Sequence, residues 1–196
     1  MRKYLLIAAF SIGVVTCSGQ SPWKFRSDNY LGLAAGQLGE RGHVETVNGL
    51  YKGPWFLGLG AGLDYYRFRS VPLFLSVTRD LPAFANISGL FLYLDGGINL
   101  PWYKRELTPY EAQLVSSSKF YAKPWGAGGL GYKWRLSTRT DKALLVSAGY
   151  SIKKLEEKLA GNNPCPSPGC PLETPHQSYI YDYVNHTFLF LVGFRF

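Results

Sequence analysis

His186-Thr187-Phe188-Leu189-Phe190-Leu191-Val192-Gly193-Phe194-Arg195-Phe196 is the stretch whose reading decides the fold. Successive side chains of an extended strand point to opposite faces. His186, Phe188, Phe190, Val192, Phe194 and Phe196 therefore share one side, and Thr187, Leu189, Leu191, Gly193 and Arg195 share the other. The first face is apolar and mostly aromatic, and it runs to the last residue, where soluble chains usually fray. Alone, the segment suits either the lipid-facing strand of a transmembrane barrel or a buried strand of a soluble sandwich. The rest of the chain favours the membrane.

The chain has 196 residues, 46% of them hydrophobic, which is ordinary for one domain. Aromatic residues at 16% and 22 glycines are both high. A bundle of membrane helices would show apolar runs of about 18 residues or more, and beyond the N-terminus there are none. Met1-Arg2-Lys3 followed by the apolar run from Tyr4 to Val15 has the charged start and short core of a secretory signal. Small residues Cys17, Ser18 and Gly19 offer a cleavage site, so residues 1–19 are expected to be a signal peptide and residues 20–196 the mature domain. A lipid anchor on Cys17 is the alternative, although Thr16 directly before it is a poor fit to a lipoprotein signal.

Export bears on the cysteines. With Cys17 removed, Cys165 and Cys170 remain, in Pro164-Cys165-Pro166-Ser167-Pro168-Gly169-Cys170-Pro171. An oxidising compartment permits a disulfide there. A zinc site is the competing reading, but two thiols without clustered partners are too few ligands. The small ring would stiffen a loop rather than hold the fold. The net charge of +8 is spread along the chain. That argues against a nucleic-acid partner and suits contact with lipid headgroups.

No helical domain or linker interrupts the mature chain. Strand-length segments separated by turn signals predict a meander at 29–37, 43–51, 55–67, 70–81, 90–100, 121–136, 143–152 and about 180–196. In 55–67, Trp55, Leu57, Leu59, Ala61, Leu63 and Tyr65 line one face, and Phe56, Gly58, Gly60, Gly62, Asp64 and Tyr66 the other. Aromatics at both ends of an apolar row match the two headgroup levels, with Leu in the hydrocarbon between. The glycines then point into a narrow interior. A soluble barrel would instead leave Gly58, Gly60 and Gly62 as a bare outer stripe. The facing of 43–51 is not evident from its pattern. The predicted fold is an all-β, eight-stranded antiparallel up-and-down transmembrane barrel. Its inward inventory holds Asp64, Thr78, Asp80, Asp95, Asn99, Lys133, Arg135 and Arg195. Such charges persist inside only if paired, so a rigid, filled interior is expected rather than a pore.

The signal peptide, the hairpin GLYKGPWFLGLGAGLDYY at 49–66, the strand RSVPLFLSVTRDL at 69–81 and the ending FLVGFRF at 190–196 carry a resemblance. The chain resembles the small outer-membrane β-barrel family of Gram-negative bacteria, in the broad OmpA-like and OmpW-like superfamily, over nearly the whole mature length. The resemblance implies residence in the cell outer membrane. It also implies that Phe194 and Phe196 form the terminal signal read by the barrel-assembly machinery. With both termini in the periplasm, 52–54, 80–89 and 137–142 become periplasmic turns. The segments 39–42, 68–70, 101–120 and 153–179 become external loops, the two longest of them outside as this architecture requires.

Little chemistry is legible. Thr108-Pro109-Tyr110-Glu111 reads as a capping box with Pro at the first helical position, and a short structural helix to about Val115 is expected. Residues 151–161 read either as a short helix ended by Gly161 or as a strand projecting beyond the membrane. A lipid-modifying hydrolase would need a nucleophilic Ser, a His base and a carboxylate. The three histidines, His43, His176 and His186, have no such setting in sequence. The period-two glycines 58, 60 and 62 are no phosphate loop. No enzymatic activity and no cofactor are therefore expected. Two classes remain: a structural or surface-interaction barrel presenting its external loops, and a small-solute or lipid-handling barrel. The partners expected are outer-membrane lipid and the assembly machinery, with the chain a monomer and the extracellular ligand unknown.

Overall fold

The computed structural model describes residues 23–83, 88–102, 115–136, 142–161 and 177–196. The predicted signal peptide, the predicted capping box at 108–111, His176 and the pair Cys165 and Cys170 lie outside the described residues. Among the described residues there are nine strands: β1 (Lys24–Gly36), β2 (Gly39–Lys52), β3 (Trp55–Asp64), β4 (Ser70–Asp80), β5 (Leu90–Pro101), β6 (Val115–Tyr121), β7 (Lys123–Arg135), β8 (Ala143–Gly161) and β9 (Gln177–Arg195). Each pairs antiparallel with its neighbours, and β9 meets both β8 and β1, which closes the sheet.

β6 and β7 form a single stave. Tyr121 pairs with Glu156 and Trp125 with Lys153, so this stave carries one more residue than β8 across the junction. Pro124, which has no N–H to give the ladder, sits in that bulge. The architecture is thus a closed, eight-stranded, up-and-down transmembrane barrel, as the alternating sequence predicts.

The facing is also as predicted. Trp55, Leu57 and Leu59 are exposed on the outer wall, while Phe56, Gly58, Gly60 and Asp64 are buried. On β9, Phe188, Phe190, Val192 and Phe196 are exposed, and Leu189, Leu191 and Arg195 are buried. Exposed apolar residues encircle the barrel on every long strand, the outer surface that a lipid-embedded barrel needs. Inside, glycines make room for rings. A Cβ on Gly58 would strike Phe56, one on Gly60 would strike Phe74, and one on Gly131 would strike Phe91.

Three sequence expectations need correction, and of the two readings open for 151–161 the strand is the one found. Residues 39–42 are not a loop. They open β2, because Gly39 supplies the left-handed turn (φ 85) and the chain then extends at once. Residues 151–161 are strand: β8 and β9 each run 19 residues and pair along their whole length. The loops predicted at 101–120 and 153–179 accordingly lose residues 115–120, 153–161 and 177–179 to strand. Arg135 is exposed at the end of β7 rather than inward.

Candidate functional site: a charged column in the lumen

Buried charged, polar and aromatic side chains run through the lumen from the end nearest the termini to the far mouth. At the end nearest the termini, Arg195 grips Asp28 with two hydrogen bonds, Nε to Oδ1 at 2.8 Å and Nη2 to Oδ2 at 3.0 Å. Arg26 reaches the same carboxylate at 2.9 Å. A bidentate guanidinium pair is the geometry in which a buried carboxylate is best compensated. The Arg26 guanidinium also lies 3.7 Å from the centroid of Phe56, where the ring face attracts the cation. Lys133 pairs with Asp80 beside this cluster. The carboxylate Asp28 comes from β1 and its partner Arg195 from β9, so the ion pair also ties the strands that close the barrel.

Above this cluster lie His43 and Glu45, bonded at 3.0 Å and both buried. Asp28, Tyr30, Glu45, Ser76, Tyr93 and Asp95 help line a cavity of about 10 Å³. The hydroxyl of Tyr93 and Oδ1 of Asp95 have no hydrogen-bond partner within the chain. The void matches about one water molecule, and the two groups supply the polar contacts such a water needs. In the same interior, Phe74 and Trp125 stack with centroids 4.8 Å apart.

Lys153 closes the far end. Its ammonium lies 2.9 Å from Asp64 and donates to the carbonyl of Tyr66 at 2.7 Å. It also donates to the carbonyl of Phe68 and the hydroxyl of Ser70, both at 3.2 Å. One buried lysine thus ties β8 to the connection between β3 and β4 across the barrel mouth. Arg67 in that connection takes a left-handed backbone (φ 60), unusual for a residue with a Cβ. The turn carries its guanidinium over the Tyr183 ring, 4.4 Å from the centroid. Phe68 packs against both Phe120 and Tyr183. Glu157 is fully buried and accepts from Ser118 at 2.7 Å and Tyr183 at 3.0 Å.

Of the predicted inward residues, Asp64, Thr78, Asp95, Asn99 and Arg195 are buried, and Asp80 and Lys133 are half-buried and paired with each other. Sequence reasoning missed Arg26, Asp28, His43, Glu45, Lys153 and Glu157. Arg26 and Asp28 lie in phase with Gly32 and Ala34, before the predicted start of β1, so extending that alternation backward finds them. Lys153 and Glu157 were hidden because charged residues 153–158 look like a solvated loop. Their parity with Leu145 and Ser147 was the available signal. Phe194 and Phe196 lie where predicted, on the outer wall, with rings edge-to-face at 4.7 Å. Phe196 closes a two-way backbone pair with Ser27, at 2.9 and 3.2 Å.

A column of this kind can hold a barrel rigid and block passage; among the described residues it presents no arranged nucleophile. His43 is bonded to Glu45 rather than to a serine, and His186 faces outward, bonded to the Tyr150 hydroxyl at 2.7 Å.

No family model matches the chain, and no curated protein sequence matches it. Among solved structures, it is similar to the crystal structure of the outer membrane protein OprG from Pseudomonas aeruginosa. The TM-score is 0.51 at 15% identity, over 89% of this chain and 93% of that one. A second likeness is to the outer membrane protein AlkL, solved by solid-state NMR in DMPC bilayers, with a TM-score of 0.49 at 13% identity over 89% of each chain. At this identity the first likeness speaks to fold, and it agrees with the strand register: the chain shares the small closed barrel of an outer membrane protein.

Proposed function

We propose that the chain is an integral outer-membrane barrel with a plugged lumen and a structural or surface-interaction role. It is exported by its N-terminal signal, is inserted by the barrel-assembly machinery reading Phe194 and Phe196, and carries out no catalytic step. The contact surface comprises the predicted external segments, about 101–120 and 153–179, together with the upper parts of β8 and β9. The single observation behind this reading is Lys153, held by Asp64 and by the Tyr66 and Phe68 carbonyls across the mouth. A conducting barrel would have to break that arrangement and also the Arg26–Asp28–Arg195 cluster below it.

A second reading, a small-solute or lipid-handling barrel, has one observation in its favour. An apolar groove of about 680 Å³ lies on the outer wall, lined in part by Leu31, Val44, Leu63, Val71 and Val192. Planar-bilayer recording of the refolded chain separates the two. Plugged-barrel behaviour is an absence of discrete current steps. Steps of constant size in the unmodified chain would overturn the proposal in favour of a solute path.

A further inference from the structure

At membrane depth the outer wall of the described residues is apolar on every long strand except at one place. Outward residues of β4 at membrane depth are Val71, Leu73, Leu75 and Val77; those of β5 are Leu92, Leu94, Gly96 and Ile98; those of β8 are Leu144, Val146 and Ala148. On β1 and β2 the same positions hold Ser27, Asn29, Thr46 and Asn48. Asn29 pairs with Thr46, and Ser27 with Asn48. The four side chains form one hydrogen-bonded ladder. Asn48 donates to Thr46 at 3.2 Å, Thr46 donates to Asn29 at 2.8 Å, and Asn29 donates to Ser27 at 3.2 Å.

Its depth makes the ladder informative. Thr46 and Asn48 are opposite Ala61 and Leu59. Those two are the central pair of the outward row that begins at Trp55 and ends at Tyr65, the aromatics that mark the two interfaces. The ladder therefore faces the hydrocarbon at Thr46 and Asn48, where lipid tails offer neither donor nor acceptor. Its internal bonds leave capacity unspent: the carbonyl and one N–H of Asn48, one N–H of Asn29 and the hydroxyl hydrogen of Ser27.

We infer that this face of β1 and β2 is the contact between two copies of the chain within the membrane. The inference rests on the transmembrane placement proposed above and replaces the monomer expected from the sequence. Two copies inserted by one route share an orientation, so the two-fold axis relating them runs along the membrane normal. Such an axis brings equal depth to equal depth, and the ladder of one copy meets the ladder of the other. Asparagine amides both donate and accept, so the surface is complementary to itself. Ser27, Thr46 and Ala61 are small enough for the walls to approach closely, as polar and small residues do at interfaces inside membranes.

The test uses chain purified from membranes, with Cys17, Cys165 and Cys170 replaced by Ser, in phosphatidylcholine vesicles. Asn48→Cys should cross-link to itself under mild oxidation, whereas Leu94→Cys on another wall should not. Energy transfer between donor- and acceptor-labelled chains should survive dilution with lipid. In the double variant Thr46→Val, Asn48→Leu, transfer should vanish at a lipid dilution at least tenfold lower. Migration on unheated gels reports the barrel itself in each sample. Normal migration with no energy transfer at any protein-to-lipid ratio would overturn the pairing and leave the barrel standing. Equal cross-linking at both positions, transfer unchanged in the double variant, or a monomer that retains a lipid chain in native mass spectra would overturn it too. Loss of the gel shift in the unmodified chain would instead strike the transmembrane reading.

Discussion

Arg195 shows how a single residue serves both wall and core. Its neighbours Phe194 and Phe196 face outward, and the guanidinium turns in to hold Asp28. Removing it strands a buried carboxylate with Arg26 alone. Breaking a buried pair by deleting one partner costs about 3–5 kcal/mol. Arg195→Ala should therefore lower the urea midpoint of the refolded barrel sharply, and Arg195→Lys should recover only part, since an ammonium cannot make the two-pronged bond. A midpoint within experimental scatter of the parent would show that the cluster contributes nothing. Phe196 makes a different prediction at the same scale. If it is read as a signal, its deletion should impair assembly in cells far more than refolding in detergent. Equal losses in both assays would reduce it to a packing residue.

Among the elements, the facing of β3 was legible, because its alternation of Leu with Gly permits one facing, although the strand ends at Asp64 and not at 67. β2 was not. Its outward row, Val44-Thr46-Asn48-Leu50, is partly polar and its inward row holds His43 and Glu45, so hydropathy alone gave no direction. Only the register with β1 and β3 fixes it. The upper half of β8 stayed open between helix and strand for a related reason. Its pattern of alternate charges resembles a surface helix until pairing with β9 places Leu155 and Glu157 inside. The site was thus readable where polar residues interrupted an apolar strand, as at Asp64 and Asp95. It was hidden where both faces were polar. β3 also supplies a paired test. Leu59→Arg places a charge at mid-membrane depth on the lipid side and should cost roughly 2–4 kcal/mol. Gly60→Ala, one position along and inward, drives a methyl into the buried Phe74 ring. It should cost about 1–3 kcal/mol by overpacking. Denaturant titrations in the same lipid would compare them, and a neutral Leu59→Arg would mean that this face is wet.

At the scale of the whole molecule, the wall and the column make one statement: the apolar side is outside and the charges are inside. The predicted external loop bearing Cys165 and Cys170 lies outside the described residues. A disulfide there should leave barrel stability nearly unchanged when reduced while speeding cleavage of that connection by external protease. Non-reducing mass spectrometry would decide its existence, and two free thiols would refute it. The inside-out arrangement itself is tested most directly on the strand that first suggested it. Nitroxide labels placed singly at 187–192 of a cysteine-free chain in lipid vesicles report their surroundings by collision. Labels at Phe188, Phe190 and Val192 should collide freely with oxygen dissolved in the bilayer and be shielded from an aqueous nickel chelate. Labels at Thr187, Leu189 and Leu191 should be immobile and shielded from both. Loss of the alternation, or access of the chelate to 188, 190 and 192, would contradict the account.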